Sequence, residues 1–431
     1  MPIAILFDDA YPLAPLTELR ASFELRTGAL TTLERHAAIL QASGVQLAAI
    51  QVPADCEACS RERNDMRTNP HDLAALMDKG DDRVLVINGR YVLPNPDIAQ
   101  MEPGTAFVEA GASRAVIVAC LTPADAGAFL HSGHLPANCK AETVDEQVLL
   151  RRPWDVIRFR DDAIEVDLAL LASRKSAAVA PGVVVIEGYE DDDNAQHHLV
   201  VSKSATVYPT ALLDVSDGPI VIDDDASVRP YAIIRGPAYI GRGSMVLEQS
   251  HIKPHTSIGP VCKVAGEVGG CIFQGFANKS HDGHLGDSWI GEWVNLGAGT
   301  TNSNLLNTYG EVTVQRTPGG PRERTDMRYL GCLLGDHVKT AICTRITTGA
   351  IVGTGAMLAA STWTPASTPS FAWVTDRGAT HARWPRFIET AKAMMARRGV
   401  TPGHAYITRL RELHECAIGQ SAGQAHSAHT P

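Results

Sequence analysis

From Val201 onward, small aliphatic residues recur at every sixth position. They fall at Val201, Val207 and Leu213, then after a three-residue offset at Ile222, Val228, Ile234, Ile240, Val246, Ile252, Ile258 and Val264. A two-residue offset brings in Asn278, His284, Ile290, Leu296 and Asn302, and after a longer excursion ending at Leu334 the period resumes at Thr340, Ile346, Val352 and Leu358. Neither the helix period of 3.6 nor the strand period of 2 generates sixes. A fixed period marks a solenoid, in which each repeat buries its apolar residue only against its neighbours. Three hexapeptides complete one triangular coil, which predicts a left-handed parallel β-helix of roughly seven to nine coils over 195–375. Gly follows several of these positions, as in Ile240-Gly241, Ile258-Gly259, Ile290-Gly291, Leu334-Gly335 and Val352-Gly353, and is read as permitting a tight corner.

Residues 1–175 follow a different pattern. Apolar runs at Pro2–Phe7, Val45–Val52, Arg83–Asn88, Ala106–Val108 and Ala115–Leu121 read as strands, and Thr31–Ser43 reads as a helix. Such alternation predicts an α/β, Rossmann-like sheet. Its carboxyl edge, where Asp8-Asp9 and Asn88-Gly89-Arg90 follow apolar strands, is where such sheets bind ligands. Past the repeat, Arg383–Arg398 and Ala405–Cys416 predict amphipathic helices over 376–418, and the Ser-, Ala-, His- and Gly-rich stretch 419–431 is expected to be disordered.

Charge narrows the possible partners. The net charge of −10 argues against a nucleic-acid surface, which needs clustered Lys and Arg. The acidic runs Asp191–Asp193 and Asp223–Asp225 read as solvated turns. No basic leader is present, and no apolar stretch approaches the ~18 residues that span a bilayer, so a cytoplasmic protein without a membrane partner is expected. Nine Cys residues fit reduced thiols, and Cys56-Glu-Ala-Cys59 lacks the second pair a zinc site would want.

Residues 278–304, NKSHDGHLGDSWIGEWVNLGAGTTNSN, carry the candidate chemistry. An imidazole titrates near neutral pH, which suits His281 to take a proton from an attacking amine. Backbone N–H groups of the Gly297-Ala298-Gly299 turn can donate to a developing oxyanion. A separation of 14 to 18 residues between His281 and the segment Asn295–Gly299 places the two on adjacent coils.

The same run resembles the active-site segment of the GlmU-like family, bifunctional bacterial enzymes that acetylate glucosamine 1-phosphate and then uridylylate the product. The chain is closer still to a divergent branch of sugar nucleotidyltransferases, through Ile5-Leu-Phe-Asp-Asp9, Asn88-Gly-Arg90, Pro153-Trp-Asp155, Lys263-Val-Ala-Gly-Glu-Val268 and Asn278–Thr300. The resemblance implies acetyl-CoA as co-substrate, a homotrimer, and His281 as the general base. It implies Asn295 and Asn304 as sugar contacts, Ala298 beside the thioester, flanked by Gly297 and Gly299, and Lys253 at a phosphate-binding position. His284 stands where the family has Tyr, and Lys279 or Lys263 replaces a second phosphate-binding Lys. In the amino-terminal domain the glycine-rich GxGTRM loop is absent, so Asp8, Asp9, Arg20, Arg26, Asn88, Arg90 and Asp155 are the candidate nucleotide-site residues, with magnesium possible. Trp289 and Trp293 are expected to pack between subunits. The loop 305–329 is expected to reach a neighbouring site, with Arg316, Arg322 and Arg324 as phosphate contacts.

Two other readings use the same residues differently. The missing GxGTRM loop suits a catalytically silent sugar-nucleotide-binding scaffold. His251, His255, His281 and His284 could instead hold zinc between subunits as in β-helix carbonic anhydrases, a chemistry in which the NLGAGT segment has no part.

Overall fold

The computed structural model describes residues 2–77, 82–112, 114–187 and 198–427, with side chains described as far as 419. The Asp191–Asp193 run lies outside the described residues. Two compact units divide the chain. One comprises residues 1–13, 19–25 and 30–152, the other 14–18, 26–29 and 153–431.

The first unit is a seven-stranded sheet. Its strands are β1 (Ile3–Phe7), β2 (Gln46–Gln51), β3 (Arg67–Thr68), β4 (Val84–Asn88), β5 (Thr105–Glu109), β6 (Val116–Leu121) and β7 (Lys140–Val144), in the order β3-β2-β1-β4-β6-β5-β7. β4 is central, β1 lies between and parallel to β2 and β4, and β6 runs antiparallel to both β4 and β5. β1 and β4 are buried at every residue, as their unbroken apolar runs require. α1 (Thr32–Ala42) starts on a capping box, with the Thr31 hydroxyl accepting from the Glu34 N–H and the Glu34 carboxylate accepting from the Thr31 N–H. α2 (Ala54–Arg63) and α3 (Pro123–Ser132) complete this unit.

In the second unit, α4 (Asp155–Arg158) and α5 (Arg160–Leu171) precede the solenoid. Both fall before the boundary at 175 drawn from the sequence, yet they belong with the solenoid. Arg160 explains this: it donates to the Gly270 carbonyl at 2.6 Å and pairs with Asp287 at 2.7 Å.

The solenoid is a left-handed parallel β-helix with three faces. The third face is a nine-stranded parallel sheet from Leu199–Val201 to Ser367–Thr368. The first begins at Thr206–Val207, and the second runs from Val184–Ile186 through Leu212–Asp214 to His284–Gly286. Every aliphatic position counted from Val201 to Val264 is buried, none more than 6% exposed. The Gly residues that follow them do not take a left-handed φ. Their need is proximity: a Cβ on Gly259 would sit 2.3 Å from the Phe273 carbonyl oxygen of the next coil. The left-handed turn comes two residues later, at Val261, Trp293 and His337 among others.

Those left-handed corners form an aromatic seam. Phe276 stacks on Trp293 at 4.4 Å, Trp293 lies over His337 at 6.5 Å, and His337 meets Phe387 at 5.7 Å. Phe387 belongs to α6 (Trp384–Ala396), which buries Phe387, Ala391 and Met395 at four-residue spacing. α7 (His404–Ser427) adds Tyr406, whose hydroxyl lies 2.7 Å from His337 Nε2. Disorder from 419 was expected, but α7 runs on to Ser427, consistent with the helix-favouring Ala and Gln residues there; 428–431 lie outside the described residues.

Candidate functional site

Where the sequence suggests an 18-residue coil with a two-residue offset, the structure has a shorter one. Val264 pairs with Lys279 and Ile258 with Phe273, so the coil after Val264 advances 15 residues. The shortening is taken at the corners Gly266 (φ +75°) and Gly270 (φ +60°). The inward positions are therefore Lys279 and Leu285, 2% and 0% exposed, in place of Asn278 and His284.

This register determines what the candidate residues do. Lys279 points into the solenoid, donating to the carbonyls of Ala265 at 2.9 Å and His281 at 3.0 Å. Burial lowers its amine to about 8. It cannot meet a substrate phosphate from there; it holds the corner on which His281 stands. His284, expected to point inward, faces outward instead. Asn278 also faces outward, donating to Asn295 Oδ1 at 2.8 Å.

His281 is exposed, and its ring contacts no described side chain through a hydrogen bond or ion pair. Its corner is stacked tightly on the next coil. Gly283 (φ +112°) lies so close to the Thr300 carbonyl that a Cβ there would approach to 2.2 Å. Along the Gly297–Gly299 turn, the Gly297 N–H is taken by Thr340 Oγ1 at 2.9 Å. The N–H groups of Ala298 and Gly299 donate to no described residue. The Ala298 carbonyl accepts from the Cys343 N–H at 2.6 Å. Two unused donors thus sit one coil above an unused imidazole.

On the second face, His251, Glu267 and His284 are in register on successive coils. Glu267 binds Lys253 Nζ and lies 3.5 Å from His284 Nδ1. The bond from Lys253 holds the Glu267 carboxyl below its ordinary range. Beside this polar row run two glycines. The Lys253 stem lies over Gly269, and Gly286 is crowded by His284 Nε2 and by Asn304, which donates to Asp287 at 2.6 Å. Side chains of Lys253, His284 and Asn304 thereby surround a bare backbone floor. No sequence signal marked Glu267 as the residue that links Lys253 to His284.

The other expectations fare differently. Trp289 and Trp293 are 0% and 3% exposed within the second unit, Trp289 donating to the Arg26 carbonyl at 3.2 Å, so neither offers a face to another subunit. The loop 305–329 folds as an antiparallel hairpin, Thr313–Gln315 with Arg322–Arg324. Arg316 pairs with Glu323 and Arg324 with Glu311, both at 2.5 Å, and Arg322 bonds Thr313, so each guanidinium is engaged inside the hairpin. Among the described residues no three His, Cys, Asp or Glu side chains of the chain converge on a metal position. His255 lies instead beside Glu165 at 3.7 Å.

The first unit has its own cleft, about 680 Å³, at the carboxyl edge of the sheet. It gathers Asp8, Asp9, Asn88 and Arg90 with Tyr11, Glu109, Arg114 and Arg151. Arg90 grips Asp9 at 2.5 Å, donates to the Leu150 carbonyl at 2.7 Å and lies over the Tyr11 ring at 4.2 Å. Burial opposes the Asp9 charge, but Arg90 and Asn88 hold its carboxyl below the ordinary range. Asp8 accepts from the N–H groups of Ser22 and Ala10, and burial pushes its carboxyl up. Glu109 is paired with Arg151 at 3.0 Å. Asp9 and Glu109 are each engaged by an arginine, Asp8 is engaged by two backbone N–H groups, and among the described residues no third carboxylate, His or Cys joins them in a metal-holding group, so these residues do not fit a magnesium ion.

Three candidates lie elsewhere. Arg26 is in the second unit, its backbone N–H bonded to Gln274 at 2.8 Å. Asp155 is buried in the second unit beside Arg158 at 3.2 Å. Arg20 is buried, 1% exposed, and does not line the cleft. Glu109 and Arg151 were missed because a single charged residue at the end of β5 and another in the segment before α4 carry no motif.

Comparison with known proteins places these features in context. Residues 4–176 match the family described as sugar nucleotidyl transferase, a match that runs past the end of the first compact unit into α5. The bifunctional protein GlmU of Sorangium cellulosum is 28% identical over 214 residues, 49% of this chain and 40% of that protein. A bifunctional sugar-1-phosphate nucleotidylyltransferase/acetyltransferase of Sulfurisphaera tokodaii is 32% identical over 182 residues, 40% of this chain and 45% of that protein. The chain thus spans less than half the length of these relatives. The UDP-N-acetylglucosamine acyltransferase structure from Francisella novicida aligns over 52% of this chain and 75% of its own, at 16% identity and a TM-score of 0.30, a likeness too low to carry weight. The amino-terminal residues 4–176 thus match the sugar nucleotidyl transferase family, and the chain is similar to GlmU-type bifunctional proteins over less than half of their length.

Proposed function

We propose that the solenoid transfers an acyl group, acetyl in the first instance, from acyl-CoA to the amine of an amino-sugar phosphate. His281 takes the proton that the amine gives up as the new C–N bond forms, the N–H groups of Ala298 and Gly299 stabilise the oxyanion, and its collapse breaks the thioester C–S bond, releasing CoA as the thiolate to which His281 returns the proton. Lys253, His284 and Asn304 hold the sugar phosphate over Gly269 and Gly286, and Asn295 lines the adjoining face. The observation that carries this reading is the stacking of the His281 corner on the 297–300 turn through Gly283, which leaves an imidazole and two backbone donors unspent on adjacent coils.

The Asp8 cleft of the first unit, in the same reading, binds a nucleotide or sugar phosphate through Arg114 and neighbouring backbone groups without supporting rapid nucleotidyl transfer. The ion-paired Asp9 and Glu109 support this, since a transferring phosphoryl group needs a metal or a preorganised cradle. A cytoplasmic homotrimer completes the proposal. Its support is two sets of exposed apolar residues on the second face and its corner, Tyr231 and Ile233 on an early coil and Ile342 and Trp363 on late ones, each suited to cover by another copy.

The test is turnover of acetyl-CoA with a panel of hexosamine 1-phosphates, with and without UTP and magnesium. His281→Asn is expected to lower acetylation by about 10²- to 10⁴-fold, the usual worth of a general base, at an unchanged thermal midpoint. An unchanged turnover number would remove His281 from the mechanism. Robust magnesium-dependent pyrophosphate release from UTP would overturn the reading of the first unit.

A further inference from the structure

Near the carboxyl end of the solenoid, away from the His281 corner, a second cavity of about 310 Å³ opens between the first face and α6. Its floor and walls are apolar, formed by Gly355, Met357, Trp373 and Phe387. Its charged lining groups are all basic, of which Arg386 is paired with Glu389 at 3.2 Å. Lys339 lines it from the first face, and Arg383 and Arg386 line it from the start of α6. No Asp or Glu side chain is among the lining residues.

Lys339 is the unusual member. It is one coil beyond Asn295 on the same outward ladder, yet its ammonium has no carboxylate partner and donates only to the His337 carbonyl at 3.1 Å. Burial alone lowers its amine to about 8. A desolvated ammonium facing an apolar cavity is costly unless an anion joins it. Lys279 shows the alternative in this same protein, where an enclosed amine is satisfied by two carbonyls. Lys339 has one, and a cavity of the size that accepts small ligands.

We propose that this cavity is a binding site for a small organic carboxylate with an apolar body, its carboxylate on Lys339 and its chain against Met357, Trp373 and Phe387. The site is separate from the acyl-transfer site and does not depend on that assignment.

Titration calorimetry of the full chain with octanoate tests it, with octanol as the neutral analogue. Saturable octanoate binding is expected, weakened about 10- to 100-fold in Lys339→Met, the worth of a hydrogen bond to a charged group. Thr390→Trp, which fills the cavity from the exposed side of α6, should abolish binding at an unchanged thermal midpoint. The proposal is overturned if octanol binds as tightly as octanoate, if Lys339→Met retains full octanoate affinity while folded, or if no saturable binding occurs. Displacement of octanoate by desulfo-CoA would also overturn it, by making the cavity part of the co-substrate site.

Discussion

The most informative perturbation is Lys279→Met, because Lys279 occupies a position that every neighbouring coil fills with an apolar residue. Burial lowers its amine from 10.5 to about 8, and at about 1.4 kcal/mol per unit the charged form costs the fold about 3 kcal/mol. The native state releases this proton before the unfolded chain does, so between pH 8 and about 10.5 the unfolded state binds more protons and stability rises with pH. Below pH 8 both states are charged and the full penalty applies. The stability of wild type minus that of Lys279→Met, from urea unfolding at each pH, should therefore shift toward wild type by up to ~3 kcal/mol from pH 7 to pH 10.5. Taking the difference cancels Lys339, which titrates in the same window. Met also removes the two donors to Ala265 and His281, so acetylation should fall through loosening of the corner while the thioester donors remain. A pH-independent difference would refute the claim that this amine is desolvated, and with it the inward register of the short coil.

Gly283→Ala should destabilise the solenoid by more than ~2 kcal/mol, since a Cβ meets the Thr300 carbonyl and φ is positive; a thermal midpoint equal to wild type would contradict the stacking. Arg90→Met should cost ~1–3 kcal/mol at neutral pH by stranding Asp9. Because the Asp9 carboxyl is depressed in the folded state, that contribution is present above its ordinary value of 3.8 and is lost as pH falls below it, so the two proteins should converge in acid. Light scattering should give about three times the 46.1 kDa chain mass, and a stable monomer at micromolar concentration would count against the trimer.

Much of the fold can be read directly because a solenoid writes its geometry as a period. Ile222 to Val264 were placed without error by counting sixes. Counting failed where the coil shortens, since Gly266 and Gly270 remove three residues and nothing local distinguishes a 15-residue coil from an 18-residue coil with an offset. The apolar strands β1 and β4 were equally plain, whereas β7, Lys-Ala-Glu-Thr-Val with four exposed residues, is an edge strand whose pattern resembles a loop. For the site, His281 and Ala298 stood out by motif. Glu267 stood within the Lys263–Val268 motif without an assigned role, and Glu109 and Arg151 within none, because ion pairing between segments depends on register that a linear reading does not supply.

The aromatic seam has a consequence for how this chain can change. A solenoid ordinarily tolerates gain or loss of a coil, since each contacts only its neighbours. Here Phe276, Trp293 and His337 occupy corresponding left-handed corners, and Phe387 and Tyr406 of the last helices close on the same rail. Left-handed φ at a non-glycine residue is disfavoured by roughly 1–2 kcal/mol, and ring stacking along the rail offsets it. An extra coil inserted before 264 would lengthen the molecule without touching this arrangement. One inserted between 276 and 337 would part the stacked rings, so the rail fixes the number of coils along its length in a way that the apolar ladders do not.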